Sequence, residues 1–184
     1  MSTKPRAIHP IPILKNDFHS EWVDILEVLS TYVLRRSDII SPGRNKSPIS
    51  AYLDGELYRR GWEERKFNVN IDVDNNSMNT PTHKIDCYKN RIGLEIEWNN
   101  KDPFYDRDLN NFRLLHQLNI ISVGVIVTRA SSLQAIFNQL GKGPSYGNST
   151  THMDKLIPRI LGGGAGGCPV LAIGISDRMY NENS

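Results

Sequence analysis

Three carboxylates fall close together in this chain: Asp86, Glu95 and Glu97. The last two lie in a run where Ile92, Leu94, Ile96 and Trp98 alternate with Gly93, Glu95 and Glu97. A period of two marks a strand with one apolar face. A two-residue turn at Lys89-Asn90 would fold the preceding segment from Ile85 back as a second strand, with Asp86 opposite Gly93. All three acids then share a face. Like charges across a strand pair destabilise it, and a divalent cation removes that cost. Oxygen-only donors select hard ions, so the expected ion is Mg²⁺, with Mn²⁺ as substitute. The chemistry this suggests is phosphodiester hydrolysis. Asp86 and Glu95 would hold the ion, which polarises the phosphoryl oxygen and lowers the pKa of bound water. Glu97 would position or deprotonate that water, and Lys101 would approach a phosphate. The competing reading is a solvated acidic hairpin face. Against it stand the strongly apolar opposite face, the room left at Gly93, and the polar run Asn99-Asn100-Lys101 at the strand's end.

Other patterns carry less. Gly162 to Gly167 matches G-x-G-x-x-G formally, but it follows a helical segment and precedes a strand, the reverse of a dinucleotide fingerprint. The five histidines show no zinc spacing. Ser145 and Ser149 lack a nearby acid–base pattern for nucleophilic catalysis. The loop from Gly141 to Thr151 is rich in Gly, Asn, Ser and Thr. That is ordinary for a loop, and it is also what base-edge and phosphate hydrogen bonding requires.

Positioning these groups needs a core. The 184 residues suit one domain over 1–184, with 39% hydrophobic and 23% charged residues. The net charge of +2 neither demands nor forbids a nucleic-acid partner. Cys87 and Cys168 give no disulfide framework and suit a reducing cytoplasm, with Cys87 directed into the core. The segment Met1 to Arg6 has no apolar stretch, so no signal peptide is expected, and no apolar run is long enough to span a membrane. Residues 1–16 are Pro-rich and read as an extended arm, and 177–184 as a polar tail. Asp17 is expected to cap a helix whose inward face is Trp22, Ile25, Leu26, Leu29, Tyr32 and Val33, with Arg35 and Arg36 in its last turn. A second helix should run from about Pro48 to Arg60, and a strand from Trp62 to Val73, followed by a turn-rich connection to Pro81. After the acidic hairpin, helices are expected from Asp106, after Ser131 or Ser132, and from Thr151. Ile120 to Val127 reads as a strand buried on both faces, and Val170 to Ile175 as the last strand. This order predicts an α/β fold, a mixed β-sheet flanked by α-helices.

The segment from Thr82 to Arg113, including Leu94-Glu95-Ile96-Glu97-Trp98-Asn99-Asn100-Lys101-Asp102-Pro103, resembles the type II restriction endonucleases of the BglII/BstYI group. The stretch Ser145-Tyr146-Gly147-Asn148-Ser149-Thr150-Thr151 and the glycine run before Cys168 extend the resemblance over most of the chain from about residue 60. The group belongs to the PD-(D/E)xK superfamily, which implies a restriction-endonuclease-like core. By this resemblance Asp86 and Glu95 take the two metal-ligand positions. Glu97 stands where most of the superfamily has lysine, as in the BamHI-like active site. Asn99, Asn100 and Lys101, with Asn148, Ser149 and Thr150, would meet DNA, Asn100 and the Asn148-Ser149 segment at base edges. No role follows for Asn70 or Glu56. The resemblance further implies a homodimer packed through about Asp106 to His116, with His152 to Leu161 as a second candidate segment. It implies a palindromic double-stranded DNA target with a GATC core, cut to leave four-base 5′ overhangs and 5′-phosphates. A cognate DNA methyltransferase would be the genetic partner, in the cytoplasm of a bacterial or archaeal cell. A catalytically inactive sequence-specific DNA-binding protein and a metal-dependent nuclease of DNA repair are the alternatives.

Overall fold

A five-stranded sheet forms the centre, in the order β2-β5-β6-β7-β8. Its strands are β2 (Glu63–Arg65), β5 (Ile85–Lys89), β6 (Ile92–Glu97), β7 (Val123–Arg129) and β8 (Val170–Ile175). The β2-β5-β6 part is antiparallel and the β6-β7-β8 part parallel, so the sheet is mixed as expected. The computed structural model describes residues 9–41, 46–80 and 82–182.

Two apolar layers cover the sheet. On one face Ile92, Leu94, Ile96 and Trp98 join Val123, Val125 and Val127. They pack under α1 (Pro10–Asp17), α2 (His19–Thr31), α4 (Pro48–Arg59) and α6 (Gln134–Gln139), through residues such as Leu14, Ile25, Leu53 and Phe137. On the other face Ile85 and Ile126 meet Leu109, Phe112 and Leu115 of α5 (Phe104–Gln117) and Leu156 of α7 (Met153–Leu161). Every residue of β7 is buried, as its continuous apolar run predicts. Cys87 lies wholly inside the first layer.

Several expectations need correction. The extended arm is wrong for residues 10–16, which are helical, while residues 1–8 lie outside the described part. Pro10 and Pro12 fall in the first turn of α1, where a missing N–H costs nothing and a preset φ helps. The polar tail also carries structure. Residues Asp177–Met179 form a 3₁₀ turn, and β9 (Tyr180–Asn181) pairs in parallel with β1 (Leu34–Arg35). Residues 183–184 lie outside the described part. The first long helix therefore ends at Thr31, and Arg36 opens a separate short helix, α3 (Arg36–Ile40). Leu26 and Val33 face solvent, and Val28 takes the inward place.

The strand expected from Trp62 to Val73 is two strands. Only β2 joins the main sheet; β3 (Val69–Val73) turns at Asp74, which has φ 52°, and pairs with β4 (Asn76–Thr80) as a separate hairpin. The Asn79 side chain donates to the Asn70 side chain there, 3.0 Å away, which places Asn70 outside the acidic hairpin. Glu56 is spent on Arg59 and Arg60.

Candidate active site

The turn between β5 and β6 is Asn90-Arg91, not Lys89-Asn90. Both turn residues have positive φ, 42° and 68°, as a type I′ turn requires, and asparagine accepts that conformation readily. The register pairs Lys89 with Ile92, Tyr88 with Gly93 and Cys87 with Leu94. Asp86 therefore falls beside Glu95 rather than Gly93. The shift is by two residues, so the side-chain parity survives. The Asp86 N–H donates to Glu95 Oε2 at 3.4 Å, and the Ile96 N–H donates to Asp86 Oδ2 at 3.0 Å. The space at Gly93 is not ligand room. A Cβ there would lie 3.2 Å from Phe112 and 3.1 Å from Ile85, so this glycine admits α5 against the sheet.

The three acids occupy different surroundings. Asp86 lines an open cleft of about 410 Å³ with Lys46, Asp54, Trp98, Asn99 and Asn100. Glu95 and Glu97 keep only 1% and 2% of their surface exposed and lie under α5. There the helix supplies a carboxylate that sequence reasoning missed, Asp108, itself 1% exposed. Its signal was an acid within the buried helical stripe of Tyr105, Leu109, Phe112 and Leu115. Burial, then the charges of Asp108 and Asp86, push Glu95 well above the ordinary carboxylate range. Burial and the Asp108 charge push Glu97 up to about 9, opposed by a hydrogen bond from Asn100 and the charge of Arg107. Burial also raises Asp108, with Arg107 beside it pulling the other way. On the cleft side Asp54 is ion-paired with Lys46 and accepts from the Cys87 thiol at 3.4 Å.

Among the described residues no three His, Cys, Asp or Glu side chains surround one metal position. The chemistry of the group still fits a hard cation. Its donors are all carboxylate oxygens, and Glu95 Oε1 is buried without a hydrogen-bond partner. A buried carboxylate oxygen left unpaired costs free energy that a cation offsets.

The sequence profile of the restriction endonuclease BglII/BglIII family matches residues 8–175. The chain belongs to that family. It is therefore a restriction endonuclease by membership, a nuclease that hydrolyses DNA, and the mixed sheet between helices agrees with the fold expected of it. No curated protein matches the chain.

In this endonuclease the polar segments expected at DNA are stitched to each other. Lys101 and Thr150 form an antiparallel bridge, the Thr151 N–H donates to the Asn100 carbonyl at 2.8 Å, and the Asp102 N–H to the Ser149 carbonyl at 3.0 Å. Asn100 Nδ2 donates to Glu97 Oε2 at 2.7 Å, so one side chain joins the segment to the acids. Asn148, Ser149 and Lys101 are exposed. Asn99 donates to the Ser145 carbonyl at 3.2 Å, and the Thr150 hydroxyl accepts from Arg129 and donates to Gly147, both at 2.8 Å. Those two side chains serve the loops.

Arg129 anchors the arrangement from the end of β7. It is 1% exposed and donates to the carbonyls of Thr151 at 3.0 Å and Tyr146 at 2.9 Å. Its guanidinium carbon lies 5.5 Å from the Phe137 ring and 5.7 Å from the Tyr146 ring. A cation buried among carbonyls and ring faces, without an ion-paired carboxylate among the described residues, fixes backbone geometry. The sequence signal was an arginine closing an apolar strand.

Proposed function

We propose that the chain is a type II restriction endonuclease. It hydrolyses double-stranded DNA at a short palindrome with a GATC core and leaves four-base 5′ overhangs and 5′-phosphates. The observation that carries this reading is the hairpin that sets Asp86 beside Glu95, in a chain of this family. Asp86 and Glu95 would hold Mg²⁺. When bound, such an ion polarises the phosphodiester and makes its water more acidic. In its ionised form, which the Asn100 bond and the Arg107 charge favour, Glu97 would take the proton from the attacking water, and Asn100 orients that carboxylate through the bond to Oε2. Asn100, Asn148 and Ser149 read base edges, and Lys101 meets a phosphate. Asn99 and Thr150 hold those readers in place.

A palindrome has two-fold symmetry, so the working unit is a homodimer in which each chain cuts one strand. The exposed Ile157 and Leu161, four residues apart on α7, are an apolar pair suited to that contact. The genetic partner is a methyltransferase that modifies the same site.

Incubation of purified protein with phage DNA and Mg²⁺ is expected to give discrete fragments, and sequencing their ends reads the site. Glu95→Ala should abolish cutting and keep specific binding. DNA left intact with both Mg²⁺ and Mn²⁺, yet bound specifically, would mean an inactive DNA-binding protein. Cutting of branched or damaged DNA without sequence preference would mean a repair nuclease.

A further inference from the structure

Glu95, Glu97 and Asp108 are buried where β6 meets α5, and Asp86 of β5 stands beside Glu95. A phosphodiester is an anion, and it must approach this group. A divalent ion would displace the protons that burial favours on these acids and offset two of the resulting charges, which still leaves an excess. The chain has to bring positive charge of its own to the same place. Among the described residues, the cation in ion-pair contact with the group is Arg107. Its Nη2 lies 2.7 Å from Asp108 Oδ1 and 3.4 Å from Glu97 Oε1, and its Nε donates to Asp108 Oδ1 at 2.9 Å.

The guanidinium is not used up. Nη1 has no hydrogen-bond partner among the described residues, and the side chain keeps 31% of its surface exposed. The exposed ring of Phe104 lies 4.4 Å from the guanidinium carbon and fixes its plane. An arginine pinned on one edge by two acids and stacked on a ring is pre-organised for phosphate oxygens. A residue that merely neutralised Asp108 would need neither a spare donor nor solvent access.

We propose that Arg107 contacts the scissile phosphate, donating from Nη1 while its Nη2 holds Glu97. This rests on the endonuclease reading above and adds to it a positive group from a helix outside the acidic hairpin. Arg107 then has two tasks: it lowers the repulsion met by the arriving phosphate, and it stabilises the charge that grows on the phosphoryl oxygens during attack.

The test uses the full chain and a duplex carrying the site mapped by end sequencing. Binding is measured without Mg²⁺ across a range of salt concentrations, and cleavage in single turnovers with Mg²⁺. For Arg107→Gln the slope of log K against log salt should fall by about 0.9 for each chain bound. Its cleavage rate should drop by about 10²–10³-fold. Arg107→Lys should keep the slope and recover part of the rate. Because Arg107→Gln strands the buried Asp108, the pair Arg107→Gln/Asp108→Asn is measured alongside it, with Asp108→Asn as its control. The reduced slope should persist in the pair and be absent from the control. A parental slope in the pair overturns the proposal and leaves Arg107 as a counter-charge to Asp108. Glu95→Ala separates the two readings. If Glu95→Ala is inactive and the Arg107 slope is unchanged, this inference alone fails. If Glu95→Ala cuts like the parent, the site reading fails and the inference with it.

Discussion

Asn100 makes the two bonds by which it would serve both halves of the proposed activity. One hydrogen of its amide nitrogen goes to Glu97 Oε2 at 2.7 Å, and its backbone carbonyl takes the Thr151 N–H at 2.8 Å. The amide oxygen and the second hydrogen stay available to a base edge, the pair of groups with which asparagine recognises adenine. Asn100→Ala is therefore expected to lose ~1–3 kcal/mol of discrimination at one base pair. Competition between the cognate site and a singly altered site measures it. Equal loss on cognate and random DNA would make Asn100 a structural or phosphate residue instead. Strand alternation grouped Asp86, Glu95 and Glu97 because it is local, and the family resemblance singled out Asn100. Sequence could not locate Asp108 or Arg107. Their partners lie on β6, 10 or more residues away along the chain, and only the docking of α5 brings them together.

At the level of elements, α5 and β6 decide how open the site is. Two glycines let the helix in. A Cβ on Gly124 would lie inside contact distance of the Phe112 ring, and one on Gly93 would press the same ring from the next strand. Gly124→Ala is expected to cost about 1–3 kcal/mol, since overpacking displaces a buried ring. Urea unfolding checks this through the midpoint, and an unchanged midpoint would show that Phe112 moves aside freely. Any displacement of α5 also moves Asp108 and Arg107 relative to Glu97, so residual activity should fall faster than stability. The α1 helix makes a different point. Proline count suggested an arm, but two prolines in a first turn favour a helix start, and Leu14 then has a core to enter.

The whole molecule bridges the two segments proposed to read DNA, with Asn100 lining the cleft, and leaves Ile157 and Leu161 of α7 exposed. If the functional unit is a dimer, equilibrium sedimentation should give twice the 20.9 kDa chain mass. Leu161→Asp, at a residue 83% exposed, should shift that equilibrium toward the monomer and leave the fold intact. A parent that stays monomeric even with cognate DNA would sink the two-fold reading. The chain's own residue pattern determined the acidic hairpin, the parity that places Asp86 and Glu95 on one face, the buried β7 and the sheet between helices. Each depends on periodicity and turn chemistry within a few residues. The folded structure decided the pairing of Asp86 with Glu95, because turns at Lys89-Asn90 and at Asn90-Arg91 keep the same parity and alternation does not choose between them. It also decided the burial of Glu95 and Glu97 under α5, the arrival of Asp108 and Arg107, the bridge between the segments around Lys101 and Thr150, and the anchoring of the second of these by Arg129. Those are contacts between residues far apart in sequence, and no local pattern records which helix packs against which strand.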